Sequence, residues 1–396
     1  MFEVRATGSF AANAISTPTT DAPASSARLA PVATDCHLPT FQRLAGQSAL
    51  AGLPNLISSA QCCTCEPHPW LQPEFMIFSL AFVPKQRGAS AALMLRTVQL
   101  GKGPSAMKVA IVIASVGRPT ELARWTDHCA RQTQQPTELI YSISAMTDLP
   151  ANFDATPARV VVGPKGSAHQ RNTGLQALET DADIVAFFDD DYVPSRRCIE
   201  GIACAFAADP NLAGTSGHLL ADGINSAGID YDQARQMVEA FDADDNEIDL
   251  FFERAMGTYG CNMAFRRSKI EDDRFDERLP LYAWQEDVDF SNRLRKRGGI
   301  GRSNAFVGVH QGIKGGRSSG YRLGYSQVAN PLYLIRKGTM PTTAALWLIA
   351  RNVMSNHAKA LRPEPWVDRA GRLAGNWRAF ADLATGRMKP ERVLAL

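Results

Sequence analysis

Long hydrophobic runs are missing from this 396-residue chain. Its longest apolar stretches, such as Phe75 to Val83, are too short to cross a bilayer. A secretory signal is missing too, because Met1-Phe2-Glu3-Val4-Arg5 has no basic region followed by an apolar core. Neither sign of charge is in excess: the formal net charge is +2, and no stripe of Lys and Arg marks any segment. Nothing in that balance points to a nucleic-acid partner. No internal repeat is visible, and no glycine-rich loop follows the first clear strand, where Ala114-Ser115-Val116-Gly117 stands. These absences predict a cytoplasmic protein, either free or lying peripherally on the cytoplasmic face of a membrane.

What is present divides the chain. A hydrophobic content of 45% is enough to bury one large core or two smaller ones. Eight cysteines fall into two groups. Cys129, Cys198, Cys204 and Cys261 lie in the periodic part and are expected to be reduced core residues. Cys36, Cys62, Cys63 and Cys65 lie near His37 and His68, but their spacing matches no standard pair of zinc knuckles. Residues 1–106 are rich in Ala, Ser, Thr and Pro at the start and hold no lasting helical or alternating pattern. They read as a disordered leader or a start placed too early. The other reading is a short functional extension in which Phe75 to Val83 docks on a membrane or on the rest of the chain. Residues 107–325 read as one catalytic-type domain, and residues 326–396 as a helical, basic, amphipathic region.

From Met107 onward strands and helices alternate. Val109 to Ala114 predicts a strand, and Gly117-Arg118-Pro119-Thr120 leads from it to a helix over Glu121 to Gln132. Further strands are predicted at Glu138 to Ile143 and Arg159 to Val162, then a helix from Ser167 to Glu179. The run Ile184-Val185-Ala186-Phe187-Phe188 has no polar side, which predicts a central strand of a parallel sheet. A helix over Arg196 to Ala207 then precedes Leu212 to Gly217, and loops, helices and a few mixed-sheet strands follow. The expected class is α/β: a Rossmann-like, mostly parallel sheet with a mixed subregion, followed by a helical C-terminal tail.

Chemistry concentrates at the end of the apolar strand, in Asp189-Asp190-Asp191. Ligands of open α/β sheets bind beyond the carboxyl ends of strands. Adjacent carboxylates there repel one another unless a cation sits among them, and hard oxygen ligands suit Mg²⁺ or Mn²⁺. The plainer alternative is an acidic loop that caps the next helix. Gly163-Pro164-Lys165-Gly166 leads into His169-Gln170-Arg171-Asn172-Thr173-Gly174, where helix-start amides with Lys165 and Arg171 would favour an anion. An ordinary strand-to-helix turn explains the same residues. Gly257 to Met263, which includes Asn262, is either an approach loop or a plain turn. Glu286 and Asp287 open a predicted helix that runs to Arg297, where carboxylates serve equally as caps or as a fixed proton acceptor.

Taken in order, these motifs resemble the family 2 glycosyltransferases: apolar strand, Gly-Arg-Pro-Thr, Arg171-Asn172-x-Gly174, Phe188-Asp189-x-Asp191, and Glu286-Asp287-x-Asp289. The resemblance covers roughly residues 107–315. It implies an inverting, metal-dependent transfer of a sugar from a nucleoside-diphosphate sugar to a hydroxyl of a carbohydrate or lipid-linked acceptor. It implies donor contacts at Ser115, Arg118, Lys165, Arg171, Asp189, Asp190 and Asn262. It also implies a Mg²⁺ or Mn²⁺ site at Asp191, Asp189 and His310, the last of which reads alternatively as a satisfied core histidine, with Asp287 as base and Glu286 orienting the acceptor or a neighbouring side chain. The expected setting is assembly of cell-surface polysaccharide or glycolipid. Two departures stand out. Ser142-Ile143-Ser144-Ala145 replaces the family's Asp-Asp pair after the second strand, and the Gln-x-x-Arg-Trp motif of processive synthases is absent. Single addition is therefore expected.

Lys314 to Arg322 reads as a basic loop that either closes over the diphosphate or is a solvated hinge. The tail, from Leu346-Trp347-Leu348-Ile349 through Arg351, Lys359, Arg362, Arg369, Arg372, Trp377 and Arg378, suits a helix in a membrane interface or one packed on the domain. Two other classes compete with a transferase. A non-catalytic nucleotide-sugar-binding or scaffold protein would be expected to lose the acidic motifs, and both are present. A sugar nucleotidyltransferase would be expected to carry the missing glycine-rich loop.

Overall fold

A computed structural model describes residues 107–155, 157–244, 252–315 and 319–396. The leader, its cysteine cluster and the Phe75 to Val83 stretch lie outside these residues. Nine described strands form one sheet: β1 (Val109–Ser115), β2 (Glu138–Ile143), β3 (Arg159–Val162), β4 (Ile184–Asp189), β5 (Tyr192–Pro194), β6 (Leu212–Asp222), β7 (Phe252–Arg254), β8 (Asn262–Arg266) and β9 (Gly299–His310). The helices are α1 (Pro119–Ala130), α2 (Ser167–Gln176), α3 (Cys198–Ala208), α4 (Tyr231–Ala243), α5 (Arg267–Ile270), α6 (Glu286–Leu294), α7 (Gly320–Lys337), α8 (Thr342–Lys359) and α9 (Arg369–Ala384).

Strand order is β3-β2-β1-β4-β8-β6-β9-β5, with β7 also on β9. The first four strands are parallel, β8 reverses, and β6 and β9 return to the original direction. Six of the nine strands (β1 to β4, β6 and β9) therefore point one way, giving the expected mostly parallel sheet with a mixed region. One correction concerns β4, which is parallel to β1 on one side but antiparallel to β8 on the other. Its unbroken apolar run reports burial on both faces rather than parallel neighbours on both sides.

That burial is visible residue by residue. Ile184, Ala186 and Phe188 join Trp125, Ile199 and Phe206 beneath α1 and α3. Val185 and Phe187 join Phe265, Phe275 and Phe290 on the opposite face, beneath α2 and α6. Aromatic packing is close there, with Phe275 and Phe290 stacked at 4.1 Å. Helices α7 and α9 meet at glycines: a Cβ on Gly324 or Gly375 would strike the backbone of Arg372 or Tyr321. The boundary expected between residues 325 and 326 falls inside α7. Among the described residues, no helix is long and apolar enough to cross a membrane.

Candidate active site

Because β1, β4, β6 and β9 share a direction, their last residues gather at one edge of the sheet. Those residues are Ser115, Asp189, Asp222 and His310. This is the edge at which open α/β sheets bind their ligands. Asp189, Asp191 and His310 each place one ligand atom within 4.8 Å of the others. Oδ1 of Asp191 is buried and makes no hydrogen bond, while His310 Nε2 lies 3.5 Å away. A buried carboxylate oxygen that accepts no hydrogen bond and has only the imidazole beside it can take a further partner. Two carboxylates with one imidazole are also a donor set that Mg²⁺ or Mn²⁺ accepts. The residues fit a divalent cation.

The carboxylates and the imidazole hold one another in place electrostatically. Burial alone would raise the Asp191 carboxyl, but His310, Arg118 and the Ile313 amide keep it well below the usual carboxylate range. Burial alone would lower His310, yet Asp191 and Asp222 raise it to about 10. Asp222 is the residue that the motifs did not reveal. Its Oδ1 lies 2.8 Å from His310 Nδ1, and its Oδ2 accepts from the Tyr259 hydroxyl at 2.9 Å. Holding one imidazole nitrogen in this way turns the other towards Asp191.

Asp190 is turned away from that cluster. Its carboxylate accepts from the Ser115 hydroxyl at 2.6 Å and from Arg118 Nη1 at 2.8 Å. Burial and the neighbouring Asp191 raise its pKa to about 7, against the pull of Arg118 and Ser115. Arg118 also reaches Asp191 at 3.3 Å and donates to the carbonyls of Ile313 and Gly315. The start of the loop after β9 is thereby tied over the acidic residues. Lys314 is turned instead to the carbonyls of Gly223 and Ile224, at 2.9 Å each.

A second group stands beside the first. Arg171, 3% exposed, donates Nη2 to Asp189 at 2.9 Å and to the Gly260 carbonyl at 3.0 Å, and its other arm pairs with Glu286. The Gly260 amide in turn donates to Asp287 Oδ2 at 2.9 Å. Burial raises the Asp287 pKa, opposed by the amides of Val288 and Gly260 and by Arg171. Three non-glycine residues with positive φ lead into α6: Leu281 (60°), Ala283 (49°) and Gln285 (75°). Each costs of order 1–3 kcal/mol and persists only when its surroundings over-determine it. Ser167 donates its amide to the Leu281 carbonyl at 2.9 Å, and Asn330 caps the Trp284 carbonyl at 2.8 Å. The strained turn thus delivers Glu286 and Asp287 to the same edge as Asp189.

Two expected donor contacts sit differently. Lys165 is exposed on the turn before α2 and joins none of these contacts. The Ser167 amide expected to help seat an anion there is already given to Leu281, and Arg171 faces carboxylates instead. Asn262 begins β8 fully buried, in register with Phe188.

The class defined by this arrangement is an α/β protein with an acidic, metal-competent edge on a mixed sheet. Residues 110–274 match the description of glycosyl transferase family 2. Among solved structures it is similar to TarS 1–349 of S. aureus, at 12% identity and a TM-score of 0.44 over 73% of this chain and 83% of that one. It is also similar to the mannosyltransferase PcManGT of Pyrobaculum calidifontis, described in complex with GDP-Man and Mn²⁺. That likeness has 17% identity and a TM-score of 0.41 over 74% and 89% of the two chains. No curated protein matches the chain by sequence.

Proposed function

We propose that the protein transfers a sugar from a nucleoside-diphosphate sugar to an acceptor hydroxyl with inversion at the anomeric carbon. One observation carries this reading: a continuous set of contacts joins the metal-competent carboxylates to a proton acceptor. It runs from Asp189 through Arg171 and Gly260 to Asp287. Asp189, Asp191 and His310 would hold Mg²⁺ or Mn²⁺. Bound there, the cation supplies Lewis-acid neutralisation of the leaving diphosphate.

The chain's own groups divide the remaining work. Asp287 takes the proton of the acceptor hydroxyl as that oxygen bonds to the anomeric carbon, and the bond from that carbon to the diphosphate oxygen breaks. Its burial favours this role, since a carboxylate of raised pKa is a stronger base. Glu286 and Arg171 fix the α6 start against Asp189. Arg118 and Ser115 hold Asp190, and Arg118 ties the loop above the diphosphate region. An acceptor on a carbohydrate or lipid carrier, and a place in cytoplasmic assembly of cell-surface polysaccharide or glycolipid, rest on the family alone. The deciding experiment measures nucleoside-diphosphate binding with and without Mn²⁺, then product configuration from a panel of nucleotide sugars. Asp191→Ala should abolish the metal-dependent part of the binding and leave the fold intact. Undiminished transfer by that variant in chelator would overturn the assignment, as would a product of retained configuration.

A further inference from the structure

The last helices carry an outward face that the proposed transfer chemistry leaves unused. On α8, Leu346, Trp347 and Met354 are 52%, 57% and 65% exposed. At about 100° per residue, Leu346, Ala350, Met354 and Trp347 fall within one sector of roughly 100°. Ala345, Leu348, Ile349 and Asn356 occupy the buried side of the same helix. Leu361 continues the exposed side beyond the helix end at 91% exposure. Trp377 of α9 stands against His357 of α8 with ring centroids 5.7 Å apart, so a second exposed indole extends the surface. A water-facing helix side normally carries polar residues, and large apolar side chains gathered there mark a contact surface.

Charge identifies the partner. Between Thr342 and Pro363 there is no Asp or Glu, while Arg351 lies beside the apolar stripe and Arg362 directly follows the exposed Leu361. The first carboxylate beyond it, Glu364, meets Lys359 at 2.7 Å at the far end of α8. The Arg351 guanidinium lies 4.9 Å from the centre of the Trp347 ring, placing a cation directly at an exposed aromatic. Exposed Trp, Leu and Met flanked by cations are the composition of a surface that lies in the interface of an anionic bilayer. A neutral protein partner would not need the one-sided charge.

We propose that the outer face of α8, extended by Trp377, seats this protein on an anionic lipid surface. The proposal stands on exposed side chains remote from the acidic edge in sequence and does not depend on the transfer reaction. The test is co-sedimentation of the full chain with vesicles of phosphatidylcholine alone and with vesicles containing phosphatidylglycerol, alongside tryptophan emission. Binding to the anionic vesicles only, with a blue shift, is expected. Leu346→Asp with Met354→Asp should reduce partition at least tenfold, and Arg362→Gln alone by about fivefold, the effect of roughly one surface cation. Both variants should keep the circular dichroism of the parent and its metal-dependent nucleoside-diphosphate binding. Absence of vesicle binding would overturn the proposal, as would equal binding to both vesicle types. Self-association that the same substitutions abolish, without lipid binding, would reassign the face to a second copy of the chain.

Discussion

Asp222 and His310 are register partners across the β6–β9 ladder, and their side chains meet at 2.8 Å beyond it. The contact fixes the imidazole whose other nitrogen faces Asp191. Asp222→Ala should weaken divalent-cation binding about 10–100-fold, the usual cost of losing such a supporting partner. Calorimetric titration with Mn²⁺ measures it. An unchanged affinity would mean that His310 is held by packing alone or does not ligate.

Arg171 is the buried link between the two halves of the site. Its pair with Glu286 is almost wholly buried, whereas Asp189 is about a third exposed and contributes less. Removing the cation strands Glu286, a loss of about 3–5 kcal/mol for a buried pair broken on one side. Arg171→Met should therefore lower the denaturation midpoint sharply, and adding Glu286→Gln should recover part of it. Thermal unfolding of the two single variants and the double variant tests the coupling. Simple additivity would show that Arg171 acts without Glu286.

The parts of this site that short, local patterns encode are legible in the amino-acid sequence. The apolar run of β4 with its acidic end, the Arg171 motif and the Glu286-Asp287 helix start all lie within a few consecutive residues. Asp222 does not, because β6 extends well past the predicted Leu212 to Gly217. Its pairing with β9 shifts register three times, and those irregularities destroy the alternation that would mark a strand end. The turn before α2 misleads for a different reason. Free helix-start amides and a nearby cation suggest an anion seat, but the Leu281 carbonyl, more than a hundred residues away in sequence, takes the Ser167 amide. The antiparallel β8 beside β4 is hidden likewise, since burial on two faces looks the same whichever way the neighbour runs.

Gly201 gives a stability prediction that reverses a general rule. Replacing a mid-helix glycine by alanine ordinarily stabilises by about 1 kcal/mol. In α3, however, a Cβ at this position would lie 1.8 Å from the Ala305 carbonyl oxygen of β9. Overpacking of this kind costs about 1–3 kcal/mol, and backbone cannot step aside as a side chain would. Gly201→Ala should thus destabilise, read as a lower midpoint in urea. A stabilised variant would mean that α3 and β9 separate readily.

Asp287 should act as the base, and its environment sets the pH at which it does so. Burial raises its pKa above the ordinary carboxylate value, against the Val288 and Gly260 amides and Arg171. A base works only when deprotonated, so activity should fall as pH drops through this raised value. The acid limb of turnover against pH should accordingly lie above the range near 4 typical of a free aspartate. Asp287→Asn keeps the size and one acceptor for the amides but cannot take a proton at neutral pH. Turnover should fall about 10²–10⁴-fold, with donor affinity changed far less, because the lost interaction belongs to the chemical step. Glu286→Gln should lose less, since that side chain is spent on Arg171 and Ser167 rather than on the acceptor. Steady-state kinetics across pH, paired with equilibrium donor binding, separate these outcomes. A larger loss in Glu286→Gln, or an acid limb that survives in Asp287→Asn, would move the base to another carboxylate.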